Sequence, residues 1–341
     1  MEIKKDYDLS NLNTFGIKAY AKRFVEMGSM AEMKELFESH YFSEQERIFL
    51  GGGSNVLFTK DFNGLVVLNK LKGIDIIHED SSSVTVRAMG GEIWHDLVIF
   101  SVEHEYWGIE NLSLIPGTVG AAPIQNIGAY GAELKDVLIS IEAYDLKDGT
   151  LRIFTKEECE PGYRYSIFKN KLKGKYFIAA VNIKLSKIEK KNISYKILRE
   201  YLEQNDIKIN GPKDISDAVA SIRRSKLPDP AKIGNAGSFF KNILLSESEG
   251  KKKLEELQRK YPDIPYFKED GYIKIPSAWL IEASGWKGKR AGNAGVHDKQ
   301  ALVLINHGEA TGEEIKNLSD QIIKSVFSKF GLTLVPEVNL I

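Results

Sequence analysis

GIENLSLIPGTVGAAPIQNIGAYG, residues 108–131, is the stretch on which the reading of this chain turns. It holds five glycines and two prolines, and after Glu110 it carries no charged residue. A solvated loop of this length normally carries Lys or Glu. A membrane-spanning helix does not tolerate Pro116, Gly117, Gly120, Pro123, Gln125 and Asn126 so close together. What remains is a folded, largely buried loop whose backbone N–H and C=O groups need partners. Two readings fit it equally. It wraps a large ligand through main-chain amides, with glycine permitting close approach, or it is a tightly packed irregular connection.

Upstream, RIFLGGGSNVLF (47–58) reads as an apolar strand, the turn Gly51-Gly52-Gly53-Ser54-Asn55, and a second apolar strand. It is not the dinucleotide fingerprint, which wants glycine where Val56 stands and then a helix; nor is it a Walker A loop, which needs Gly-Lys-Ser/Thr. Three glycines in a turn can present a nest of N–H groups to an anion, and a plain hairpin accounts for them as well. AKRFVEM (21–27) predicts a strand, Ser29–Ser39 a short helix, and residues 65–90 a run of alternating strands that Gly90-Gly91 ends. EIWHDLVIFSVEHEY (92–106) predicts a helix with His95-Asp96 on a solvated face.

Downstream, SIEAYDL and TLRIFT form a hairpin across Asp148-Gly149. GYRYSIFK (162–169) leads into the strand KYFIAAVNIKLS. A charged connection, 189–194, precedes a helix over 195–205. A composition shift near Gly211-Pro212 marks a domain boundary. Apolar residues at 215, 218, 219 and 222 predict a helix that Leu227-Pro228-Asp229-Pro230 stops. GNAGSFFKN (234–242), a charged helix (246–261), a helix from 276 with a glycine-rich segment after it, and the strand QALVLIN (300–306) follow. Thr311 and Glu314 form a capping box. LTLVPEVNLI (332–341) predicts a closing strand containing one carboxylate, Glu337.

Composition narrows the function classes. With 341 residues, several domains are expected. Lys plus Arg equals Asp plus Glu, at 47 each, so there is no general pull toward nucleic acid or membrane. Cys159 is the only cysteine, which leaves no intrachain disulfide and no cysteine metal cage. The N-terminal residues lack the apolar run of a signal peptide, and the six histidines are scattered, so no metal is expected. The chain reads as reduced and cytoplasmic.

Four polar residues stand in glycine-rich or apolar settings. Arg164, between two tyrosines, can bind a carboxylate in bidentate fashion or stack on tyrosine at the surface. Ser238, in NAGSFF, is a proton donor or a helix cap. Glu337 is an acid of raised pKa or a salt-bridge partner. Tyr195 is a lid residue or core filling. Ser238 lacks a Gly-x-Ser-x-Gly setting, which disfavours nucleophilic hydrolysis.

Taken together, NTFGI (13–17), LGGGSNVLF (50–58), IPGTVGAAPIQNIGAYG (115–131), YRYSIFK (163–169), GNAGSFFKN (234–242) and VPEVNLI (335–341) resemble, in order and spacing, the UDP-N-acetylenolpyruvoylglucosamine reductases of bacterial peptidoglycan synthesis. The resemblance covers nearly the whole chain. It implies an α+β protein whose FAD-binding fold, of the p-cresol methylhydroxylase type, has two subdomains (1–70 and 71–212). A C-terminal α+β substrate domain (213–341) follows, with the last strand, 332–341, returning to the active site. It implies noncovalent FAD held by Gly51, Gly52, Gly53, Ser54, Asn55, Ile115, Pro116, Gly117, Thr118, Gly120, Ala121, Ile127, Gly128 and Ala129. Arg164, Ser238 and Glu337 become the active-site arginine, proton donor and C-terminal acid. Tyr195 becomes the lid of the first of two subtypes, and Lys226, Asn242, Tyr266 and Gln300 hold the nucleotide sugar. NADPH is the implied co-substrate and UDP-N-acetylglucosamine enolpyruvate the substrate, for a monomer with no nucleic-acid or membrane partner. Two departures touch fine positioning: Ile243 stands where the family often has Pro, and Tyr165 where an acidic residue is common. Two rivals stay in view. One is a flavin oxidase of the same superfamily; the other is a non-catalytic nucleotide-binding protein.

Overall fold

A computed structural model describes residues 1–43, 46–269 and 271–341. The chain forms two compact units, each gathered from separate stretches: Met1–Tyr7, Ala21–Gly53 and Phe62–Ser225 in the first, and Asp8–Tyr20, Ser54–Asp61 and Lys226–Ile341 in the second.

The first unit contains two sheets. In one, strands Lys4–Asp8, Tyr20–Met27, Phe62–Asn69 and Arg47–Leu50 lie in that order. Tyr20–Met27 and Arg47–Leu50 both run parallel to Phe62–Asn69. That central strand is buried at every position but one, as befits a parallel strand covered on both faces. Helix Met30–Glu38, capped by the Ser29 hydroxyl, lies in the first crossover. The second sheet is antiparallel, in the order Leu151–Thr155, Leu138–Asp145, Tyr176–Ser186, Ser83–Met89, Ile74–Glu79. Gly149, at φ +72°, makes the turn of its predicted hairpin. Helix Trp94–Glu103 buries Trp94, Leu97, Val98 and Val102 in one core with Val84, Val86, Ile141 and Ile183.

The 108–131 loop joins that core through Ile109, Leu112, Val119, Ala122 and Ile127. Main-chain bonds fasten it: Trp94 N to Gly117 O (3.0 Å), Val119 N to Glu92 O (2.9 Å) and Gly120 N to Gly90 O (2.9 Å). A Cβ on Gly90 would lie 2.5 Å from the Ile178 carbonyl oxygen, and one on Gly120 would lie 3.0 Å from the Gly90 Cα. The loop rides too close to the sheet for side chains at these two positions. Helices Lys196–Gln204 and Pro212–Lys226 enclose a smaller core of Leu198, Leu202, Ile215, Val219 and Ile222 around Trp107.

In the second unit, strands Gly234–Ser238, Val303–Asn306, Ala294–Val296 and Arg290–Ala291 form an antiparallel sheet in that order. Ile243–Ser246, Tyr272–Ile275 and Phe267–Glu269 form another. Helix Gly312–Phe330 begins at the predicted capping box and ends at Gly331, at φ +62°. The N-terminal pieces are structural members here. Asn306 Nδ2 donates to Phe15 O (2.9 Å), and a Cβ on Gly312 would fall 1.7 Å from Phe58 O.

Two expectations are corrected. Residues 47–58 are not a hairpin: Arg47–Leu50 pairs with Phe62–Asn69, whereas Val56–Leu57 pairs with Asn339–Leu340. Residues 332–341 are not one strand. Only Asn339–Leu340 is a ladder strand, and Pro336 forms an isolated bridge with Phe240. Proline has no N–H to continue a ladder. At this bridge none is required, because Lys241 N donates to Val335 O (2.9 Å) and Glu337 N to Phe239 O (2.7 Å) on either side.

Candidate active site

In the first unit the two glycine segments meet. A Cβ on Gly51 would lie 2.3 Å from Thr118 Oγ1, and one on Gly52 would lie 3.0 Å from the Gly117 Cα. The two segments are thus packed directly against each other. The amides of Val119, Gly120, Ala121, Ala122, Asn126 and Ile127 bond inside the fold. Contacts to a ligand therefore fall to other groups of the two segments. The predicted turn is itself divided, with Gly51–Gly53 in the first unit and Ser54 and Asn55 in the second.

The loop's backbone is held in unusual conformations. Leu114 (φ +55°), Asn126 (+46°) and Tyr130 (+49°) lie in the left-handed region, and so does Arg164 (+50°). Such residues need surrounding structure to hold them. For Arg164 that structure is a tight turn in which Gly162 and Tyr165 exchange main-chain bonds of 3.0 and 3.1 Å. Tyr165 thus serves through its backbone. The Arg164 guanidinium is half-buried and donates to Gly128 O (3.3 Å), which ties it to the loop. The Tyr163 ring is 5.9 Å away.

Three contributors were not legible as such. Arg223, on helix Pro212–Lys226, lies close enough to Tyr130 and Arg164 to feel both; burial, then the Arg164 charge, lowers its pKa. Its buried Nε has no hydrogen-bond partner among the described residues, and a buried guanidinium of this kind suits an anion. The signal was its place four residues after Val219, on the apolar helix face. His95 is corrected from the solvated face: it is half-buried, and its Nδ1 accepts from Leu114 N (3.2 Å). Burial pushes its pKa down, consistent with a neutral, accepting ring. Glu110, 2% exposed, accepts from Gly108 N (2.6 Å), and burial raises its pKa. A groove of about 610 Å³ beside Gly108, lined by Trp107, Ile139, Lys156 and Lys184, includes none of the predicted ligand residues.

In the second unit Ser238 ends strand Gly234–Ser238, after Gly237 at φ +66°. No helix starts there, so the helix-cap alternative is excluded. The residues that follow it, 239–241, pair with 335–337, which sets Glu337, 8% exposed, across from Phe239, the residue after Ser238. Asn55 anchors the same segment: its carbonyl accepts from Asn339 N and Nδ2 (3.1 and 3.0 Å), and its Nδ2 donates to Glu337 O (3.4 Å). Asn242 Oδ1 accepts from Ser277 N (3.1 Å), and Gln300 O accepts from Val303 N (3.0 Å), opposite Ser238 in the sheet. Ile243 is the first residue of an edge strand, a position that proline also accepts. Tyr266 is exposed ahead of strand Phe267–Glu269, and Lys226 is exposed at the end of its helix. Tyr195, 44% exposed, directly precedes helix Lys196–Gln204 in the first unit.

Residues 21–155 match a family profile described as an FAD binding domain, and residues 229–341 match the C-terminal domain of UDP-N-acetylenolpyruvoylglucosamine reductase. The reductase of Flavobacterium johnsoniae is 46% identical over 343 residues, covering 100% of both chains. The chain belongs to the UDP-N-acetylenolpyruvoylglucosamine reductase family. Other family members include the reductases of Porphyromonas gingivalis (44% identical, 100% of both chains) and Pseudomonas aeruginosa (43%, 100% of this chain and 99% of that one). The crystal structure of the Thermus caldophilus reductase matches with a TM-score of 0.66 at 20% identity, over 99% of this chain and 98% of that one. The fold is thus the α+β, p-cresol methylhydroxylase-type FAD-binding fold of this family with its C-terminal domain. Among the described residues no helix is long and apolar enough to cross a membrane, and no group of three potential metal ligands occurs.

Proposed function

We propose that Arg164, Ser238 and Glu337 carry, in this chain, the reaction for which its family is named. The chain is an FAD-containing oxidoreductase, a UDP-N-acetylmuramate dehydrogenase. It reduces UDP-N-acetylglucosamine enolpyruvate to UDP-N-acetylmuramate in peptidoglycan synthesis. FAD, when bound, supplies hydride to the enolpyruvyl group, and NADPH is the electron source in this reading. The glycine segments hold the cofactor noncovalently.

The protein's own task is to manage the charge that follows. Hydride at the β-carbon drives negative charge into the substrate carboxylate, and a dry site makes that species costly. Arg164, fixed by its turn and by Gly128, donates to it, and Glu337 completes the polar surroundings of the carboxylate. Ser238 delivers a proton to the α-carbon and sets the lactyl stereocentre. Tyr195, as the first-subtype lid, with Lys226, Asn242, Tyr266 and Gln300, holds the nucleotide sugar. We read 1–70 and 71–212 as the two halves of the FAD-binding part and 213–341 as the substrate part, in a monomeric, cytoplasmic enzyme.

The observation that supports the site assignment is the pairing of 239–241 with 335–337, which holds the segment of Glu337 against the residues that directly follow Ser238. The test is the flavin spectrum of the purified protein and its NADPH turnover. Turnover should require the enolpyruvyl sugar. Oxidation of NADPH or of an alcohol by dioxygen, with no response to that sugar, would replace this reading with an oxidase.

A further inference from the structure

The connection before Tyr195 is held by two amide side chains that the reaction itself does not use. Asn111, 1% exposed, donates from Nδ2 to Tyr130 O (2.8 Å) and to Asn192 O (2.9 Å). Its Oδ1 is buried and has no hydrogen-bond partner among the described residues, so its polar contribution there is those two donated bonds. Asn192 answers from the other side: its Nδ2 donates to Gly131 O (2.9 Å), while its Oδ1 accepts from the Ser194 hydroxyl (2.9 Å). Tyr130 and Gly131, the carbonyls so gripped, lie at φ +49° and +83°. A Cβ on Gly131 would meet Ser194 Oγ at 3.2 Å and Tyr195 Cβ at 3.7 Å. The Tyr195 ring then stands edge-on to Tyr130, with centroids 5.5 Å apart at 76°.

We propose that Asn111 and Asn192 are positioning residues that clasp the connection 187–195 to the glycine-rich loop and thereby set Tyr195 for the nucleotide sugar. The proposal rests on the lid reading of Tyr195. Neither amide touches substrate in it; both act through the tyrosine. Leaving a buried amide oxygen unpaired is unfavourable, and the clasp gives that arrangement its use, since only a side chain with two N–H donors can bridge two carbonyls here.

The test uses the full-length, FAD-loaded enzyme and two readouts. The first is hydrogen exchange of backbone amides 188–195 without substrate; the second is KM for the enolpyruvyl sugar, read separately from kcat. Asn192→Asp keeps the acceptor for Ser194 and turns the bond to Gly131 into a contact between two acceptors. It should speed exchange across 188–195 by about tenfold or more, and raise KM more than it lowers kcat. Asn111→Leu should do the same; if it does not fold, Asn192→Asp and Asn192→Ala carry the test. In the pair Asn192→Asp with Tyr195→Phe, the KM effects should be less than additive, because the clasp acts by placing the Tyr195 hydroxyl. Unchanged exchange in Asn192→Asp, or simple additivity with Tyr195→Phe, would overturn the proposal. Failure of the lid reading looks different: Tyr195→Phe alone would leave substrate affinity unchanged while Asn192→Asp still speeded exchange.

Discussion

Ser238 shows how much one residue's neighbours decide. Read in sequence without its relatives, its hydroxyl was first of all a helix cap. In the fold it ends a strand just before Phe239, the residue that pairs with Glu337, and no helix starts there for it to cap. Ser238→Ala should therefore fold and melt like the parent, bind FAD, and be reduced by NADPH at near the parent rate. Reoxidation of its flavin by the enolpyruvyl sugar should slow by about 10²–10⁴-fold, the usual contribution of a general acid. Stopped-flow measurement of the two half-reactions separates the steps; small, equal effects on both would remove Ser238 from the chemistry. Arg164 drew notice in the sequence because an arginine between two tyrosines is conspicuous. Its left-handed backbone was not, because φ at a non-glycine residue follows from the turn that closes around it. Arg223 was hidden for a related reason: its neighbours Tyr130 and Arg164 are distant in sequence.

Among the elements, strands and helices were legible where periodicity and capping agreed. Ser29 and Thr311 start their helices as the sequence suggests, because N-cap chemistry is local. Pairing was less so. The 47–58 segment reads as a hairpin only until it is known that each half has a different partner far along the chain. Gly90 belongs to this scale, since it lets the 108–131 loop lie on the sheet. Gly90→Ala would push a Cβ to 2.5 Å from a backbone carbonyl, and overpacking of this kind costs about 1–3 kcal/mol; a lowered Tm with reduced flavin content is the expected result. His95 links the same loop to helix Trp94–Glu103 by accepting from Leu114 N. Burial lowers its pKa from the ordinary 6.5, so the folded state prefers the neutral ring. Its stabilising contribution is thus complete above that value and fades as pH falls through the lowered one. His95→Gln keeps an acceptor without the titration, and should lose less Tm than the parent on acidification from about pH 7.5 to about pH 5.5. An equal loss in both would show that the ring plays no part.

At the scale of the whole molecule, family membership was legible because six short motifs kept their order along the full length. Cys159 bears on how the cofactor is held. It is 1% exposed in the core of the antiparallel sheet, and burial pushes its thiol pKa up to about 12. A protonated, enclosed thiol is a poor nucleophile. Acid precipitation of the yellow protein should therefore leave the flavin in the supernatant; colour retained by the pellet would show a covalent link. The division of the chain into interleaved stretches has a consequence for how the protein is made. Residues 8–20 and 54–61 leave the ribosome early, yet the partners they brace, among them Asn306 and Gly312, emerge some 250 residues later. At about 5–20 residues per second, those early segments wait for tens of seconds before their unit can close. Synthesis stalled before codon 306 would release a nascent chain with Phe15 and Phe58 still unburied, a natural client for chaperones.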